Sequence, residues 1–145
     1  MAEAADQLTA GLSEFVSHFD AEEVLLGAAL HDVGKILHPA EMRGPGTCHE
    51  EAGRTLLEVQ GHPVIARFCV SHGQWDDDAL ALEDLLVALA DKLWKGKRVV
   101  KLEQRVVVSL SRSTGSPPWQ VFTALDPVFE SVADRGDERL ARSRA

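Results

Sequence analysis

Cysteine is scarce: Cys48 and Cys69 are the only two in 145 residues, too few for a disulfide framework. Tyrosine is absent, and aromatic residues make up 6% of the chain. Basic residues are outnumbered, 15 against 23 acidic ones, for a formal net charge of −8. That balance lacks the electrostatic footprint of a nucleic-acid binder, so any anionic ligand needs local cations or metal. Long apolar runs are missing too. Val24–Leu30 and Leu85–Ala90 are the longest, far below the ~18 residues that span a bilayer. The opening, Met1 to Gln7, is acidic and alanine-rich, without the basic and apolar regions of a signal peptide. These absences predict a cytoplasmic protein with reduced thiols and no membrane association.

Helical periodicity is what the sequence does have, with no sustained two-residue alternation, no repeat and no linker. Leu8, Leu12, Phe15 and Phe19 predict a first helix from Ala2 to Phe19. Asp20 with Glu23 reads as a capping box opening a second helix that stops near Gly34. Leu37 to Gly46 reads as a loop. Thr47 with Glu50 reads as another capping box, opening a helix that Gly61 ends. Further helices are expected over Pro63–His72 and Leu82–Lys95, and along the stripe Val99, Leu102, Val106 and Leu110. Ser116 is expected to cap Pro117-Pro118, and Asp126-Pro127 to restart a last helical stretch. The prediction is an all-α bundle of six to eight helices. One domain covers 1–134, followed by a charged tail, 135–145, that frays.

Two apolar helices end in ionisable residues. Leu25 to Leu30 runs into His31-Asp32, and Leu85 to Ala90 runs into Asp91. A helix apolar on nearly every face is buried, and a carboxylate there must be neutral, paired or bound to metal. For Asp91 the simple alternative is an ion pair with Lys95, one turn on.

Ala28-Ala29-Leu30-His31-Asp32-Val33-Gly34-Lys35, then His49, His72 and Ala90-Asp91-Lys92-Leu93, resembles the HD superfamily of metal-dependent phosphohydrolases over about residues 20–98. The resemblance implies an HD-type all-α fold and hydrolysis of a phosphate ester, such as a nucleotide monoester or phosphodiester, by a metal-activated water. It implies that Asp32 bridges two metals. His31 and Asp91 would complete one set of ligands, and His49 and His72 would hold the other ion. Lys35 would sit beside the phosphate and offset developing charge. Imidazoles with carboxylates suit Mn, Fe, Ni, Co or Zn.

The family pattern begins with a further histidine on the first helix, and the matching place here has none. Either the chain starts after that residue or it carries one ligand fewer. His18 is no substitute, because about 11 residues of helix separate it from His31, roughly 16 Å at 1.5 Å per residue. The missing ligand supports an alternative, a catalytically weakened HD domain acting as a nucleotide- or metal-binding regulatory module. A third reading is a helical interaction module whose polar residues satisfy one another. Structural zinc is a further rival, since Cys48-His49 and Cys69-x-x-His72 supply two Cys and two His. Adjacent helical residues diverge by about 100°, however, which sets Cys48 and His49 apart. Lys92, Lys95, Lys97, Arg98, Lys101 and Arg105 form a basic cluster that would draw a phosphorylated small molecule toward the metals, or simply cap helix ends. Trp75, Trp94 and Trp119 are expected in the core or a pocket wall.

Overall fold

A computed structural model describes residues 1–16 and 18–145, and no strand occurs among them. The helices are α1 (Ala2–Ser13), α2 (Ala21–Leu30), α3 (Cys48–Val59), α4 (Pro63–Ala66), α5 (Phe68–Ser71), α6 (Leu82–Trp94), α7 (Val100–Thr114), α8 (Pro118–Ala133) and α9 (Gly136–Arg144). Among the described residues seven of these have nine residues or more, while α4 and α5 are single turns. The all-α bundle anticipated from periodicity is the observed architecture. No described helix is long and apolar enough to cross a membrane.

α6 is the central element. Every residue from Asp84 to Asp91 is buried, because α1, α2, α5, α7 and α8 surround it. The stripes Leu8 and Leu12 on α1, Leu102, Val106 and Leu110 on α7, and Val121, Leu125, Phe129 and Val132 on α8 close the same core. Each such side chain contributes on the order of 1.5–3 kcal/mol on burial. The buried Asp84 is paired: it accepts from Ser71 Oγ at 2.7 Å and from Arg67 Nε at 3.2 Å.

Behind α2 the chain turns through a 3₁₀ segment, Val33–Ile36, that packs on α3. Gly34 makes this possible. A Cβ there would lie 1.9 Å from the His49 carbonyl oxygen and 2.6 Å from the Gly53 nitrogen. The His31-Asp32 turn is thereby seated against the start of α3.

Several local expectations are corrected. α1 ends at Ser13, not Phe19; Phe15 and Val16 donate back to the Leu12 carbonyl, and Val16 is buried without being helical. Ser17, within that predicted helix, lies outside the described residues. Asp20 accepts from the Glu23 amide at 2.9 Å, but its own amide goes to Glu83, so the box is half formed. Thr47 makes no side-chain cap. Glu41, inside the 3₁₀ turn Pro39–Met42, accepts from the Cys48 and His49 amides instead, both at 3.1 Å. Pro63–His72 is divided at Arg67, whose dihedrals stay helical. Ser116 does not cap α8, which begins after Pro117 and runs unbroken through Pro127. The segment expected to fray is helical: α9 buries Arg139, which donates to the Val132 carbonyl at 2.5 Å and to Gln7 at 3.1 Å.

Candidate metal centre

The sequence-predicted residues arrive from four parts of the fold. His31 caps the C-terminus of α2, with Asp32 and Lys35 in the turn behind it. His49 stands in the first turn of α3, His72 caps α5, and Asp91 lies in the last turn-and-a-half of α6. Asp32 is the common point. Its carboxylate lies 3.6 Å from His31 Nε2, 3.3 Å from His49 Nε2 and 3.8 Å from His72 Nε2. Asp91 joins through His31, 3.6 Å from the same Nε2. His31, His49, His72 and Asp91 are buried, whereas the Asp32 side chain keeps 34% exposure and opens the cluster to solvent.

All three rings have the other nitrogen engaged. His31 Nδ1 and His72 Nδ1 each lie 2.9 Å from a carbonyl oxygen, of Ala28 and Phe68 respectively, and can only donate to it. His49 Nδ1 lies 2.6 Å from Glu41 Oε2. In the neutral tautomer that donates from Nδ1, the Nε2 lone pair is free, and three such lone pairs converge on a carboxylate. Nε2 of His31 and of His49 is buried with no hydrogen-bond partner among the described residues. Acceptors facing acceptors are mutually repulsive, and a divalent cation resolves the conflict. The donor set therefore fits a metal.

Burial, followed by the neighbouring His31, lowers His72 from 6.5 to about 4, so it is neutral at pH 7. Burial works against the charge on Asp91, yet the adjoining His31 and Lys95 hold it well below the usual carboxylate range. Asp32 is likewise lowered against burial, by His31 and Lys35. The Glu41 carboxyl is held at about 2, chiefly by the His49 ring.

Three groups bring their ligand atoms within 4.8 Å of one another: His31, Asp32 and His72; His49, Glu50 and His72; and, less buried, His38, Glu41 and Cys48. Sequence reasoning paired His49 with His72 but missed Glu50, which it had taken as the capping partner of Thr47. It also missed Glu41, whose only sequence signal is a carboxylate in the loop before α3. Lys35 Nζ is 2.6 Å from Asp32, and Lys95 Nζ is 2.9 Å from Asp91 Oδ2, so the simple ion pair for Asp91 is present as well. Lys92 also approaches Asp91, at 3.7 Å.

Two more of the basic cluster are engaged away from the histidines. Arg98 is tied to Glu103, Asp126 and Glu130, and Arg105 donates to the Trp75 and Asp77 carbonyls. A separate cleft of about 970 Å³, between Trp75 and α7, includes none of the clustered histidines or aspartates. Trp75 and Trp94 pack on the core, but Trp119 is 70% exposed. His18 is exposed and outside all three groups. The structural-zinc set does not assemble: Cys48 is exposed, while Cys69 is buried against the Leu30 carbonyl, its thiol raised to about 11 by burial.

Comparison with curated proteins and with solved structures gave no match. A family model described as HD domain matches residues 1–94, which contain every residue of the cluster. The chain belongs to the HD domain family.

Proposed function

We propose that the protein is a metal-dependent phosphohydrolase that cleaves a phosphate ester of a small molecule, a nucleotide monoester or phosphodiester being the class in view. The observation that carries this reading is the convergence of three imidazole Nε2 atoms on Asp32, with each Nδ1 fixed by a protein oxygen. His31, Asp32 and Asp91 would hold one ion, and His49 and His72, with Asp32 between the two sets, would hold the other. Mn, Fe, Ni, Co or Zn suits these ligands. When bound, such ions activate water as a nucleophile and stabilise charge on the phosphoryl oxygens.

The chain's own residues supply orientation and charge. The Ala28 and Phe68 carbonyls and Glu41 keep the rings in the ligating tautomer. Lys35, 24% exposed beside Asp32, is placed to donate to a phosphate oxygen. A second reading, a weakened HD domain that binds a nucleotide or metal as a regulatory module, is favoured by one observation: Lys95 already neutralises Asp91.

Hydrolysis of nitrophenyl phosphate mono- and diesters and of a nucleotide panel, with added Mn, Ni or Co, separates the two. The enzyme reading predicts turnover that chelator abolishes, Asp32→Ala removes, and Lys35→Ala cuts by about 10²–10³-fold. Metal binding without turnover on any ester supports the regulatory module instead.

A further inference from the structure

We propose that Glu50 is a ligand of the ion held by His49 and His72, giving that ion two imidazoles and a carboxylate in addition to Asp32. The inference rests on the metal-centre reading above and adds a residue that the HD-type ligand pattern does not supply. Glu50 follows His49 in the first turn of α3, and its carboxylate lies within 4.8 Å of a ring nitrogen of both His49 and His72. His49 Nε2 is buried and has no hydrogen-bond partner among the described residues.

A second observation points the same way. Gly73 directly follows His72, and a Cβ on it would sit 2.4 Å from Glu50 Oε1 and 3.1 Å from its carboxyl carbon. The missing side chain at position 73 is the cradle into which the Glu50 carboxylate fits. Asp32 and Asp91 each have a lysine for a counter-charge. Among the described residues Glu50 forms no such ion pair. A partly buried carboxylate beside two imidazole lone pairs lacks a cation, and a divalent ion is the cation that also satisfies the imidazoles.

The test is titration of the full, metal-free chain with Mn²⁺ and separately with Co²⁺, followed by calorimetry and by the visible Co²⁺ spectrum. Glu50→Gln keeps the shape and removes the charge. It is expected to weaken one of two binding events by about tenfold or more, to leave the other within twofold, and to change the Co²⁺ spectrum. Gly73→Ala removes no ligand residue and needs no unusual backbone angle, yet its Cβ pushes the Glu50 carboxylate aside. It is expected to weaken the same event. Glu51→Gln is the control, since Glu51 is exposed and pairs with Arg54. Binding by Glu50→Gln and Gly73→Ala that matches the unsubstituted chain overturns the assignment of Glu50 while leaving the metal centre standing. An unsubstituted chain that takes up neither ion overturns the metal centre itself and the Glu50 assignment with it.

Discussion

His72 shows how a single residue links burial to the chemistry of the centre. It is 7% exposed, donates from Nδ1 to the Phe68 carbonyl, and has His31 with its ring centroid 4.5 Å away. Burial first, and then His31, lower it to about 4 from 6.5. Between those pH values the unfolded chain binds a proton at this position and the folded one does not, so stability rises with pH across that window. The contribution is complete above about 6.5 and is lost as pH falls toward 4. Urea midpoints of the metal-free protein at pH 7 and at pH 4.5 are expected to differ more for the unsubstituted chain than for His72→Gln. Equal differences would contradict the burial argument. His31, Asp32 and Asp91 were legible in the sequence because an ionisable residue at the end of an apolar helix stands out, and His49 and His72 only through the resemblance to the HD superfamily. Glu41 and Glu50 were not, since surface-like glutamates in a loop and a first helical turn look like ordinary capping residues.

Among the elements, those set by apolar pattern were readable and those set by backbone contacts were not. α6 was evident from its continuous run of Leu, Val and Ala. α8 was expected to break before Pro127, because an interior proline costs about 3 kcal/mol. Val121, Leu125, Phe129 and Val132 form one buried stripe across that proline, and burying them together offsets the cost of keeping the helix whole. α9 was hidden by its composition, since nothing in a charged sequence announces a buried Arg139. It is also held by a crossing of two glycines. A Cβ on Gly136 would lie 2.3 Å from both the Cα and the nitrogen of Gly96, directly after Lys95. Gly136→Ala therefore forces backbone apart and is expected to undock α9. Amide exchange should accelerate selectively in Gly136–Arg144, with a loss of stability on the order of 1–3 kcal/mol. Unchanged exchange there would show that the crossing does not hold the helix.

On the scale of the whole molecule, α6 fixes Asp91, α2 and its Gly34 turn fix His31 and Asp32, and α3 and α5 bring His49 and His72 to the same carboxylate. Four elements distant in the chain thus share one cluster whose acceptors repel one another until a cation joins them. A ligand that binds only the folded chain stabilises it, by about 2.7 kcal/mol at 100 times its dissociation constant. A divalent ion is therefore expected to raise the melting temperature by a few degrees, and chelator to reverse the rise. The most direct test is the metal content of the reconstituted protein, measured by mass spectrometry of the metal and by calorimetry for the unsubstituted chain and for Asp32→Ala. The prediction is about two equivalents of Mn, Fe, Ni, Co or Zn per chain in the first, and loss of metal in Asp32→Ala with helical content near normal. No metal in the unsubstituted chain, or full occupancy in Asp32→Ala, would contradict it.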